Sequence, residues 1–392
     1  MIVFLSINTY NKVYCIKQCN SGYLEMNHIS SLHIKTYRGI QNLQLNDFSL
    51  VNIFTGDNNT GKTSVLEILR TLPSPLSLST WLANGRKGIK SREVSDYEAF
   101  TDLFNVNSQN KLASFNVVDS NKKNHSIILS AEISTTLLSK NQINKEMGMV
   151  FSKNEEDNIM EIETQLADIE IATEKDSNKY KLNEFSHYVG ANEKSSYSIH
   201  SPVIYISPTK HAENILYLDK ILNNPQLYEE MLSVLKDFDS DIVSINASTP
   251  TSESGINTLS NKVYYNILSK DKNRALPLNM YGDGMKKAIL LMSAVVAAKG
   301  GILLLDEFET AIHTSAMADV LYWIINTCKK LDVQLFMTTH SLEALKTVLN
   351  LSDKFEEEIS LYTLYKKENT VARRLTAKEA IEASDILNLE LR

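Results

Sequence analysis

Apolar positions along this chain recur with two spacings and in several unbroken runs, and each pattern predicts a different kind of element. Leu32 to Ile40 alternates apolar and polar residues like a strand entering a turn, and Gln41 to Phe54 predicts a further strand pair. The end of that stretch, Leu50-Val51-Asn52-Ile53-Phe54, reads as a short buried strand. Ser114–Val118 and His125–Ile133 predict an antiparallel hairpin, and Ser201–Ser207 another strand followed by a helical stretch from Ala212 to Leu222. Pro225 to Phe238 carries Leu227, Met231, Leu232 and Leu235 at helical spacing. Lys286–Ala298 predicts a buried helix, Gly301–Leu305 a strand ending in Asp306-Glu307, and Met317–Leu331 a helix. Val333–Met337 predicts the next strand, ending at Thr338-Thr339-His340, with Ser341 as the cap of the helix after it. Ile359–Leu375 reads as a hairpin and Thr376-Ala377-Lys378-Glu379 as a capping box. Two apolar strands separated by a helix imply an α/β fold, with a parallel sheet carrying functional groups at its carboxyl ends.

The organisation expected from this pattern has five parts. Residues 1–25 form an N-terminal extension, 26–136 an N-terminal lobe with antiparallel strands, and 137–200 a variable surface insertion, part helix and part loop. A helical lobe over 201–275 and a C-terminal part over 276–392 follow. The insertion is inferred from a shift to Lys, Asn, Glu and Asp, as at Glu155-Glu156-Asp157. The composition, 392 residues and 43% hydrophobic, is enough for a large core. A net charge of −7 argues against a protein that coats nucleic acid, without excluding a local basic patch. Cys15, Cys19 and Cys328 lack the paired spacing of a zinc site and suit a reducing, cytoplasmic setting. The apolar run from Ala288 to Ala298 is too short to span a bilayer, so no membrane association is expected.

The chemistry starts at Gly56-Asp57-Asn58-Asn59-Thr60-Gly61-Lys62-Thr63, followed by Ser64, a complete G-x-x-x-x-G-K-[ST] loop between a strand and a helix. Its backbone N–H groups make a concave positive field for phosphate. Lys62 is expected at the β- and γ-phosphates and Thr63 on Mg²⁺. Gly282-Asp283-Gly284 opens a helix where backbone amides can approach an anion, with Lys286 and Lys287 adding charge. Asp306 and Glu307 end an apolar strand, the first suited to Mg²⁺ and the second to polarising a water. His340 ends the next strand, within reach of a γ-phosphate.

The order of these motifs resembles the ATPase heads of the ABC superfamily. Its G-x-N-N-x-G-K-[ST] loop, Gly282-Asp283-Gly284 signature and Asp306-Glu307-Phe308-Glu309 through His313 resemble the OLD-like (overcoming-lysogeny) ATPases, in the stand-alone form. That resemblance implies an ABC-type P-loop head, a mixed sheet with an N-terminal antiparallel lobe and a helical insertion. It also implies ATP and Mg²⁺ sandwiched between two copies, the loop of one and Gly282–Gly284 of the other meeting the γ-phosphate. Tyr37 and Arg38 fall where related heads carry a nucleotide-contacting aromatic-basic pair. The chain departs from the pattern in lacking a Ser ahead of the signature and in placing Thr314, not Pro, after His313. No glutamine loop is evident, Gln109 being a poor candidate.

By resemblance, the expected function is an ATP-hydrolysing switch that forms a dimer or higher oligomer and regulates a separate effector, a nuclease or toxin, in bacterial anti-phage defence. Too little chain follows His340 for a TOPRIM nuclease domain. The alternative is a DNA-repair head similar to recombination-F proteins, which predicts a basic stripe such as Lys87, Lys90 and Arg92. A transporter subunit is disfavoured by the long separation of Lys62 from Asp306. A non-hydrolysing scaffold is disfavoured by Glu307, and a GTPase by the lack of an Asn-Lys-x-Asp motif.

Overall fold

The computed structural model describes residues 28–85, 95–106, 108, 110–139, 142–143, 161–186, 188, 197–213, 217–248, 263–312, 314–355 and 358–385. The strands are β1 (Ile29–Tyr37), β2 (Ile40–Leu45), β3 (Val51–Gly56), β4 (Lys111–Asp119), β5 (Asn124–Ser139), β6 (Glu161–Ala172), β7 (Ser177–Asn183) and β8 (Val203–Ile206). They continue with β9 (Ile242–Ser248), β10 (Tyr264–Ser269), β11 (Leu276–Pro277), β12 (Ile302–Leu305), β13 (Gln334–Thr338), β14 (Ile359–Lys366) and β15 (Thr370–Thr376). The helices that matter for the site are α1 (Lys62–Arg70), α2 (Pro225–Leu235), α3 (Asp283–Ala297), α4 (Thr314–Leu331) and α5 (Leu342–Asn350).

One six-stranded sheet runs β15-β14-β3-β13-β12-β8, parallel from β14 to β8. Its central strands β3, β12 and β13 are buried along their whole length because both faces of the sheet are covered there. Ile302, Leu304, Phe336 and Phe54 face one core with Val65 and Leu69 of α1. Leu303, Leu305, Leu335 and Met337 face the other, with the apolar side of α3 and α4. The register pairs Leu305 with both Ile206 and Met337, and Thr338 with Phe54. The carboxyl ends of β3, β12, β13 and β8 therefore form one row, and the residues that follow them meet along it.

A second six-stranded sheet, β2-β1-β4-β5-β6-β7, is antiparallel throughout and makes the N-terminal lobe. It extends further than the sequence suggests. The stretch 137–200 was expected to be part helix and part loop, but β6 and β7 continue this sheet, with Ala167, Ile169 and Ile171 buried. The charged residues Asp168 and Glu170 alternate with them, so one exposed face of a strand mimics a surface insertion in composition. The expected helical lobe over 201–275 is mixed: besides α2 it contains β8 of the central sheet and two strands, β9 and β10, of the small β11-β10-β9 sheet. The extension at 1–25 lies outside the described residues.

Candidate nucleotide site

The tight turn between β3 and α1 depends on two glycines. Gly56 has φ 131°, and a Cβ there would sit 2.0 Å from the Leu364 carbonyl oxygen. Gly61 caps α1 at φ 99°, with Ile40 side-chain carbons 2.8 Å from where a Cβ would be. Only glycine meets both demands, a left-handed backbone and no room for a side chain. Lys62 is buried and folds back over the loop, its Nζ donating to the carbonyls of Gly56 and Asp57, each at 2.7 Å. Burial holds its ammonium below the usual lysine range, against the pull of Asp57, Glu307, Asp306 and Glu309.

Behind the loop, the buried Asp306 gathers three hydroxyls. Thr338 Oγ1 donates to Oδ1 at 2.7 Å, Thr63 Oγ1 to Oδ1 at 3.1 Å, and Tyr205 OH to Oδ2 at 3.1 Å. Burial, then the Asp306 carboxylate, pushes the Tyr205 phenol far up, so it stays a donor. The carboxylate and the Thr63 hydroxyl form an all-oxygen set of the kind Mg²⁺ prefers, an ion that keeps several waters and asks for few protein ligands. Among the described residues no group of three or more His, Cys, Asp or Glu could hold a metal.

Thr338 does a second thing. Its Oγ1 accepts the Glu307 N–H at 2.8 Å and clamps Glu307 in a left-handed conformation, φ 44°. The Glu307 carboxylate lies 3.6 Å from His340 Nε2, and both side chains are partly exposed. The His340 N–H donates to Glu309 Oε1 at 3.0 Å. A cavity of about 690 Å³ is lined by Arg38, Asn58 to Ser64, Glu307, His340, Lys366 and Thr370 among others, a size that admits a nucleotide.

Two expectations about binding residues are corrected. Tyr37 does not face the cavity: it is fully buried near Trp81 and donates to Glu67 Oε2 at 3.0 Å. Register shifts in the β1–β4 pairing, one between Ile34 and Thr36, change the phase of the strand and turn Tyr37 inward. Arg38 does line the cavity, fixed by Glu67 at 2.9 Å and the Asn84 carbonyl at 2.6 Å. Lys286 and Lys287 add no free charge to the helix start. Lys286 pairs with Asp283 at 2.6 Å, and Lys287 is fully buried, its ammonium pushed down to about 8 by burial.

Gly282 and Gly284 line a different cavity, of about 730 Å³, with Phe238, Met280 and Ala311, and share no residue with the phosphate-loop cavity. Gly282 caps α3 without a side-chain hydrogen bond, and a Cβ there would touch nothing within 4 Å. Asp283 points into solvent, 64% exposed. The residues that sequence reasoning missed are Tyr205, Thr338, Lys366 and Thr370. Each is brought in by strand adjacency, for which a single sequence carries no local signal. Gln109, His313 and the basic candidates Lys87, Lys90 and Arg92 lie outside the described residues.

The family described as "AAA domain, putative AbiEii toxin, Type IV TA system" matches residues 51–346. A protein named ATP/GTP phosphatase from Helicobacter pylori is 27% identical over 385 residues, covering 90% of this chain and 97% of that protein. The uncharacterized protein MJECL11 of Methanocaldococcus jannaschii is 29% identical over 114 residues, 28% of this chain and 98% of its own length. Among solved structures, an Smc head bound to the C-winged helix domain of ScpA superposes with a TM-score of 0.50 at 12% identity. The match covers 91% of this chain and 99% of that one, a likeness of fold to an ABC-type head. No described helix is long and apolar enough to cross a membrane.

Proposed function

The chain belongs to this AAA-domain family and is an ATPase; on that premise we propose that it works as a nucleotide-driven switch, closing as a dimer over shared sites. The observation that carries the reading is the separation of two half-sites. Lys62, Thr63, Glu307 and His340 line one cavity, and the uncapped start of α3 at Gly282 opens on another. Two copies facing each other would bring the α3 amides of one to the γ-phosphate held by the other.

In this reading Lys62 leaves the Gly56 and Asp57 carbonyls for the β- and γ-phosphates, and the loop amides of Asn58 to Ser64 cradle the chain. Arg38 lines the same cavity as a fixed positive charge. Thr63 and Asp306 would hold Mg²⁺, which when bound neutralises charge on the phosphate oxygens. Glu307 accepts the proton of the attacking water, and His340 sits against the γ-phosphate as charge develops there. The relative's name, ATP/GTP phosphatase, supports hydrolysis of a nucleotide's phosphate at this site.

The switch would act on a separate effector protein, as the ATPase subunit of an anti-phage system. The toxin and TA-system wording of the family description, and the stand-alone OLD-like motif pattern, support this assignment. The test is Glu307→Gln with ATP and Mg²⁺. Phosphate release should stop and the protein should accumulate as an ATP-bound dimer, read by light scattering after gel filtration. Continued turnover, or a monomer with ATP bound, would sink the reading.

A further inference from the structure

Lys287 has a place in the site that its sequence position does not suggest. It lies on α3, one turn from the Gly282–Gly284 start, and is fully buried. A lysine without water is costly unless an opposite charge compensates it. Its hydrogen bond goes to a neutral acceptor, the Pro208 carbonyl at 3.1 Å. The charges acting on it are all carboxylates of the turn that follows β12, Glu309 first, then Asp306 and Glu307.

Glu309 is the complementary case. Oε1 accepts the His340 N–H, while Oε2 is buried and has no hydrogen-bond partner among the described residues. The two elements are also packed backbone to backbone, since a Cβ on Gly284 would lie 3.1 Å from the Ala311 carbonyl oxygen. An ammonium on the signature helix with only a neutral acceptor thus lies in the field of, but is not paired with, a carboxylate that has one unpartnered oxygen and holds the main chain of His340.

We propose that Lys287 is a positioning residue for hydrolysis: its charge orients Glu309, and Glu309 fixes His340 against Glu307. The attitude of α3, the helix that would meet the second copy's nucleotide, then sets the attitude of the hydrolytic pair in its own subunit. This rests on the composite-site reading above. It adds a line of communication from one half-site to the other within a single copy.

Lys287→Met keeps the length of the side chain and removes the charge, and Glu309→Gln keeps an acceptor for the His340 N–H and removes the charge. Each should keep KM for ATP within about twofold and lower kcat by about a hundredfold, the signature of lost alignment with intact binding. The double variant should be no slower than the slower single one, because both substitutions break one linkage. A kcat within about twofold of wild type in either folded single variant, or losses that multiply in the double, overturns the proposal. If Lys287→Met does not fold, Glu309→Gln alone decides it. Glu307→Gln run in parallel separates the two levels. If it traps the dimer while Lys287→Met turns over normally, only the positioning role falls; if it traps none, the composite-site reading falls.

Discussion

Thr338→Val removes one hydroxyl and breaks two interactions that hold the catalytic end of the sheet. In the wild type Thr338 Oγ1 donates to Asp306 at 2.7 Å and accepts from the Glu307 N–H at 2.8 Å, with Thr338 itself 1% exposed. A hydrogen bond to a carboxylate contributes about 2 kcal/mol and a stranded main-chain N–H costs about 1 kcal/mol or more, so unfolding should become easier by about 3 kcal/mol. Valine matches threonine in shape, so no cavity adds to this. Activity should suffer as well. Glu307 is held at φ 44° partly by this clamp. A left-handed non-glycine residue costs about 1–2 kcal/mol and relaxes when released. Misplacing the general base should lower kcat by about a hundredfold with KM little changed. The control is Thr338→Ser, which keeps the hydroxyl and loses a methyl: about 1 kcal/mol of stability and little activity. The assays are denaturant unfolding and steady-state phosphate release. If the valine variant matches the serine variant in both, the hydroxyl is not the clamp described here.

Two further predictions test the assignment of individual side chains. Tyr37→Phe should cost about 1–2 kcal/mol of stability, because Glu67 loses a buried donor, and leave ATP affinity within about twofold; a large loss of affinity by nucleotide titration would return Tyr37 to the site. Lys62 has its amine pKa lowered from 10.5 by burial, and phosphate binding needs the protonated form. ATP affinity should therefore fall as pH rises through a range below the ordinary lysine value, and Lys62→Met should bind weakly with no such slope. An affinity flat up to that value would contradict the placement of Lys62.

Much of the site could be read from residue order because its parts lie where the chain leaves a strand. Gly56–Thr63, Asp306-Glu307 and His340 each follow an apolar run, and parallel strands in register bring such ends together whatever the intervening chain does. What was illegible depends on neighbours or on phase. Tyr205 reaches Asp306 because β8 pairs with β12, two strands almost a hundred residues apart in sequence. Tyr37 turns inward at a register shift that leaves no trace in the residue types. Lys287 looks like a solvated charge beside Lys286, yet helical rotation buries one and exposes part of the other. β6 was misjudged because its exposed face is as charged as a loop.

The claim that one nucleotide site is built from two copies can be measured by mixing two inactive variants. Lys62→Ala disables the loop of its own copy. Gly282→Glu places a carboxylate at the α3 start, where a Cβ meets nothing within 4 Å, so the fold tolerates it. Each protein alone should release no phosphate. In an equimolar mixture half of the dimers pair an intact loop with an intact α3 start at one of two sites, so activity should return to roughly a quarter of wild type. A mixture no more active than its separate components would show that hydrolysis is completed within a single chain.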